Sequence, residues 1–239
     1  MAVNPVNRRE WYVAVFQKSR GRLLATADAG KTFREIYSTP LERFGVFDVY
    51  YDKGRKTVSI VTGQGGLLET DNGGKTWRVV RWFADGLIRL MVNPVNPASR
   101  LAVTPRGKVF RTLDYGQSWT DATRALDSFS GASSNQRWFM GANGTLYMGS
   151  KYGALRSYDN GSTFGALDLI IPPEALPVLA VAASPRDDSR LLVSAGNQLY
   201  SSSDGGRTWA ILTPPSAKRI THLLFDREKP ETIYAVAQP

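Results

Sequence analysis

The stretch Ser202-Ser203-Asp204-Gly205-Gly206-Arg207-Thr208-Trp209 decides the fold. It reads Ser/Thr-x-Asp/Asn-x-Gly-x-Thr/Ser-Trp/Phe. Four more copies start at Thr26 (TADAGKTF), Thr70 (TDNGGKTW), Thr112 (TLDYGQSW) and Ser157 (SYDNGSTF). Successive starts are 44, 42, 45 and 45 residues apart. Self-similarity at a period of this size signals a propeller, a solenoid or an array.

A short apolar run precedes each copy and another follows it, which predicts the tip of a β-hairpin. Asp or Asn at the third position accepts hydrogen bonds from turn N–H groups. Glycine at the fifth supplies a backbone with positive φ. The closing Trp or Phe brings a large apolar area to bury against a neighbouring sheet. Five matches in register resemble the Asp box, or bacterial neuraminidase repeat, which in its family lies between the third and fourth strands of a propeller blade. The resemblance covers nearly the whole chain and implies an all-β propeller of four-stranded antiparallel blades. It assigns Asp28, Asn72, Asp114, Asp159 and Asp204 to turn-building, and Phe33, Trp77, Trp119, Phe164 and Trp209 to packing between sheets. Asn72 fits that structural role, because an amide builds a turn but does not serve as a carboxylate catalyst.

The repeats run approximately over residues 1–38, 44–82, 87–123, 135–168 and 177–213, with a partial one at 219–239, all within one propeller domain. The third is the fullest: IRLMV, an NPVNPAS turn, RLAVTP, a tight turn at Arg106-Gly107-Lys108, VFRTL, the box, and SWTDAT. Alternating apolar runs separated by Gly, Pro, Asn and Asp are strand-and-turn patterns. The connection at 121–136 has room for one helical turn. The chain starts on the end of a first strand and finishes on THLLFD and TIYAVA, a first and a second strand. Three arrangements fit: an open arc of a six- or seven-bladed ring, which is favoured; a five-bladed ring with an extra strand pair; or completion by another chain.

The 239 residues contain no cysteine, so disulfides and Cys-ligated metals are excluded. No run approaches the ~18 apolar residues of a membrane span. The N-terminal residues lack the charged-then-apolar order of a signal peptide. Asp-box proteins are mostly exported, so the resemblance implies a periplasmic, lumenal or secreted protein, with the cytoplasm as the alternative. The net charge is +9. Residues 1–120 hold 19 Lys/Arg and 10 Asp/Glu, and residues 121–239 hold 11 of each, so the whole excess lies in the first half. Such a field favours an acidic partner.

Catalytic signals are weak. The sialidase Arg-Ile-Pro signature is missing, and Arg219-Ile220 is followed by Thr221. The paired aspartates of xyloglucanase-type enzymes lie between two propellers, and this chain is too short for two. His222 is the only histidine and sits in an apolar strand, RITHLLF. Glu42, Asp85 and Glu174 lie in connections, without a sign that any two converge. GQGG at 63–66 reads as a hairpin turn and not as a phosphate cradle. No catalytic, cofactor or metal residue is therefore assigned, and no cofactor is expected.

In a blade, the turn between strands two and three shares a side with the blade-to-blade connections. That rule gathers Arg43, Arg81, Trp82, Phe83, Arg89, Arg106 and Lys108 on the side opposite the boxes. Arginines with aromatics are the composition of interface anchors. Within the Asp-box propellers the chain most resembles the photosystem II stability/assembly factor group, in its boxes ending Gly-Lys-Thr-Trp and its Asn-Pro turns. That resemblance implies a non-catalytic scaffold binding other proteins, a subunit or assembly factor of a larger, membrane-associated complex, itself at most peripheral to the membrane. The alternative is a carbohydrate-active protein, a sialidase-like glycosidase or a glycan binder. No nucleic-acid module accompanies the basic charge.

Overall fold

The structure, a computed structural model, describes residues 1–214 and 216–238. Five sheets have four antiparallel strands and a sixth has two, each in chain order. The chain divides into two compact units. The first comprises Met1–Val92, Arg100–Pro105 and Thr112–Trp119; the second comprises Asn93–Ser99, Arg106–Arg111 and Thr120–Pro239. The third repeat is shared between them.

The first unit holds blade one, β1 (Ala2–Val3), β2 (Trp11–Gln17), β3 (Arg20–Thr26) and β4 (Arg34–Ser38). It also holds blade two, β5 (Val46–Asp52), β6 (Thr57–Thr62), β7 (Gly66–Thr70) and β8 (Arg78–Trp82), with the pair β9 (Arg89–Val92) and β10 (Arg100–Val103). Its core packs Tyr12, Leu23 and Ile36 of blade one on Val46, Val49 and Ile60 of blade two. In the second unit β11 (Val109–Thr112) pairs β12 (Thr120–Asp121). Blade four follows, β13 (Arg137–Met140), β14 (Leu146–Gly149), β15 (Ala154–Ser157) and β16 (Gly165–Ala166), and then blade five, β17 (Val178–Ala183), β18 (Leu191–Ala195), β19 (Gln198–Ser202) and β20 (Ala210–Leu212). The last pair is β21 (Arg219–Phe225) and β22 (Ile233–Gln238), two strands where the partial repeat predicts them. One 3-10 turn, Thr123–Leu126, fills the long connection.

Each box is the turn that the octapeptide predicts, closed by hydrogen bonds among its first, third, fifth and seventh residues. In the first, the Thr26 hydroxyl donates to Asp28 Oδ1 (2.7 Å) and accepts the Gly30 N–H (3.0 Å). The Thr32 N–H and hydroxyl close onto the same carboxylate at 2.9 and 2.6 Å. These donors, the Thr32 hydroxyl first, hold the Asp28 carboxyl well below its usual range. Asp114 and Asp204 are lowered in the same way, chiefly by Ser118 and Thr208. The fifth-position glycines have φ between 77° and 92°. The fourth position is left-handed too, and in box three it is Tyr115 at φ 61°.

The box aromatics pack on the preceding blade. Trp77 stands edge-on to Tyr37, with ring centroids 5.3 Å apart, and its N–H donates to the Ile36 carbonyl at 2.9 Å. Trp119 meets Phe83 in the same way at 5.3 Å. Trp209 packs on the core that contains Leu167. Phe164 lies 6.0 Å from Trp138 of its own blade. Phe33 departs from the expected packing and is 47% exposed.

Candidate protein-interaction face

Backbone bonds bring the turns and connections of the first unit together on the side away from its boxes. Arg43 N–H donates to Ser19 O (2.7 Å), Gly21 N–H to Phe44 O (2.8 Å), Gly63 N–H to Gly45 O (3.0 Å) and Phe83 N–H to Gly65 O (2.9 Å). This stitching tethers the β2–β3 turn, the first connection, the Gly63–Gly66 turn and the second connection. Arg43 and Arg81 are exposed there, and neither makes an ion pair among the described residues. Trp82 is 54% exposed, and its ring lies over Gly66, where a Cβ would come within 3.0 Å.

Two residues grouped with these are placed differently. Phe83 is 5% exposed and held under Trp119, so it anchors the connection from beneath. Arg89 lies 3.7 Å from Asp48. Burial pushes the Asp48 carboxyl up, an effect that Arg89 and the N–H groups of Leu90 and Val49 oppose. Arg106 and Lys108 are exposed but belong to the second unit. Gly107 between them presses on the Ser133 carbonyl, where a Cβ would stand 2.2 Å away.

Sequence reasoning missed three apolar members of this face, Phe16 (61% exposed), Leu41 (58%) and Phe47 (55%). Strict alternation in VFDVYYD would set Phe47 with Val49. A register shift between Val46 and Asp48 buries Val46 and Val49 and turns Phe47 outward. The three-residue spacing of the two valines was the available signal. The Phe47 ring lies against Gly63, so Phe47 and Trp82 flank the two ends of one tight turn.

The first unit also buries a charge cluster on its box side. Arg100, fully buried, donates to Glu69 (2.8 Å) and Asp52 (3.2 Å). Arg55 grips Glu69 through two bonds of 3.2 and 2.8 Å, and Arg78 reaches the same carboxylate. Tyr115 stacks over the guanidinium groups of Arg55 and Arg100 at 5.1 and 5.3 Å. Burial raises the Glu69 carboxyl, but the arginine bonds outweigh it and hold it below the usual range. A carboxylate locked in this way supplies no acid or base. His222 is exposed on β21, its Nδ1 3.1 Å from the Thr221 hydroxyl. No cluster of His, Cys, Asp or Glu with metal-binding geometry occurs among the described residues. Among the described residues no helix is long and apolar enough to cross a membrane.

Solved structures share the fold at low identity. YCF48 bound to D1 peptide aligns with a TM-score of 0.66 and 19% identity over 97% of this chain and 77% of that one. YCF48 from Cyanidioschyzon merolae aligns at 0.66 and 19% over 89% and 70%. The GH74 xyloglucanase from Xanthomonas campestris aligns at 0.75 and 17% over 99% of this chain, which spans 43% of the enzyme's length. No curated sequence matches the chain. The family described as photosynthesis system II assembly factor YCF48 matches residues 15–229. With its boxes, its blades and that match over most of its length, the chain belongs to this family of Asp-box propeller proteins.

Proposed function

We propose that the protein is a non-catalytic scaffold that binds other proteins through the connection side of its first unit, as a subunit or assembly factor of a larger, membrane-associated complex outside the cytoplasm. The observation that carries this reading is the exposed set Phe16, Leu41, Phe47 and Trp82, tethered beside the unpaired Arg43 and Arg81. Aromatic area supplies an anchor and arginine grips carboxylates with paired hydrogen bonds, so an acidic segment with apolar side chains suits the face. Family membership and the peptide-bound state of YCF48 support the reading. The xyloglucanase likeness, at 17% identity, is a likeness of fold.

Selection of displayed peptides on the purified protein tests the proposal. Binders should be enriched in Asp and Glu next to apolar residues. Arg43→Glu with Arg81→Glu should weaken them at least roughly tenfold without unfolding the chain, since exposed substitutions change stability by about 0.5 kcal/mol. Lys75→Glu, on the box side of the same unit, should do little. Equal losses from both would point to diffuse charge attraction, and no loss from the arginine pair would remove this face from consideration.

A further inference from the structure

Between blades four and five the chain runs through an apolar connection, LDLIIPPEALP, residues 167–177. Leu169 and Ile171 pack on the core of these two blades, whereas Ile170 between them is 57% exposed. The second half of the connection is braced. The Ala175 N–H closes a turn onto the Pro172 carbonyl at 3.3 Å. Pro173 fixes its own φ at about −65°. Glu174 follows at φ 65°, which makes the turn type II, and glycine is the usual residue at that place. The Glu174 N–H donates to the Tyr152 carbonyl at 2.8 Å. Leu176 lies over Gly196, where a Cβ would come within 3.2 Å of it. A left-handed residue that is not glycine is strained, and such strain collects where a loop is held in shape for a ligand.

The braced connection borders a cavity of about 170 Å³. Its apolar walls include Ala154, Leu167, Ile171 and Leu176, and Tyr152 and Asp168 complete it. Phe129 fixes Tyr152 edge-on, with ring centroids 5.2 Å apart. Asp168 is exposed, and its carboxylate has no hydrogen bond or ion pair among the described residues. All of these residues belong to the second unit. A cavity of about 150 Å³ holds benzene, so this one accepts a single side chain. Pockets for whole small molecules begin at about 300 Å³.

The walls select which side chain. Leucine and isoleucine suit an aliphatic stem. An unpaired carboxylate calls for a cation, and the face of an aromatic ring attracts one. Arginine meets all three, because its planar head bonds a carboxylate through two parallel N–H groups and sheds water more readily than an ammonium. Residues 121–239 hold 11 Lys/Arg and 11 Asp/Glu, so no excess of cations opposes it on this half.

We propose that this cavity is a docking pocket for an arginine side chain of a partner polypeptide. The stem lies against Leu167 and Leu176, and the guanidinium sits on the Asp168 carboxylate beside the Tyr152 ring. The pocket is in the second unit and takes the charge opposite to that suited to the arginine face, so either can fail without the other.

Titration of methyl-labelled protein with N-acetyl-arginine amide tests the proposal by NMR. The methyl resonances of Leu167, Ile171 and Leu176 should shift and saturate at roughly millimolar ligand, the strength expected of so small a molecule. N-acetyl-citrulline amide has the same shape without the charge and should bind roughly tenfold more weakly. Asp168→Asn, at an exposed position, should leave the protein folded and remove the difference between the two ligands. Equal binding of the two by the unmodified protein, shifts that never saturate, or a preference that survives Asp168→Asn would overturn the proposal. So would free L-arginine binding roughly tenfold better than the capped amide, because the pocket would then serve the free amino acid and not a polypeptide.

Discussion

Replacing Arg100 with alanine should lower the unfolding free energy by roughly 3–5 kcal/mol, the range for breaking a buried ion pair from one side. Glu69 and Asp52 are 1% and 2% exposed, so neither can recover its solvation in water. Glu69 keeps Arg55 and Arg78. Asp52 keeps the N–H groups of Gly54 and Arg55 on Oδ1 but loses the guanidinium on Oδ2. Urea unfolding followed by tryptophan fluorescence measures the loss. It should persist in high salt, because a buried pair is screened little. Removing the carboxylate left without a cation, with Arg100→Met and Asp52→Asn together, should recover much of it, because Glu69 keeps its other two arginines. A loss under about 1 kcal/mol for Arg100→Ala would mean that Arg55 and Arg78 together suffice for the two carboxylates.

Gly65→Ala should be comparably damaging, at about 3 kcal/mol or more, since strain and overpacking add. Gly65 has φ 104°, and a Cβ there would stand 1.8 Å from the Phe83 carbonyl oxygen. The obstacle is backbone, so no rotamer change relieves it. The connection that must retreat begins at Phe83, directly after Arg81 and Trp82 at the end of β8, so peptide binding at the proposed face should fall along with the urea midpoint. Gly73→Ala is the control. Gly73 has φ 69° with nothing within 4 Å of the added atom, and Ala29 holds the same place in box one at φ 63°. That change should cost about 1 kcal/mol. Equal costs at the two glycines would show that backbone freedom, and not the close approach, is what Gly65 supplies.

The fold was legible because its signal is local and repeated five times. Thr26, Asp28, Gly30 and Thr32 lie within seven residues, and each bond among them is implied by residue type and spacing. The left-handed fourth position was harder to see, since Ala29, Tyr115 and Asn160 do not announce it as glycine would. The candidate face was read only in part. Strand order gave the side on which Arg43, Arg81 and Trp82 lie. Whether Phe83 points in or Phe47 points out depends on a bulge and on Trp119, 36 residues away from Phe83. The buried charges were least legible. Arg100 meets Asp52 and Glu69 across 48 and 31 residues, and nothing local separates such an arginine from a surface one.

Asn72 gives the molecule an internal reference against acid. The other four boxes close on carboxylates whose folded pKa is depressed. Their contribution is present above the unfolded Asp value of about 3.9 and is lost as pH falls through the folded values. Asn72 has no proton to gain. It accepts the Thr76 N–H on Oδ1 at 3.0 Å and donates from Nδ2 to the Thr76 hydroxyl at 2.7 Å. Acid therefore loosens four hairpin tips and leaves the second latched. In acidic hydrogen exchange, the Thr76 amide should outlast those of Thr32, Ser118, Thr163 and Thr208, and this one blade tip would mark the order in which the repeats come undone.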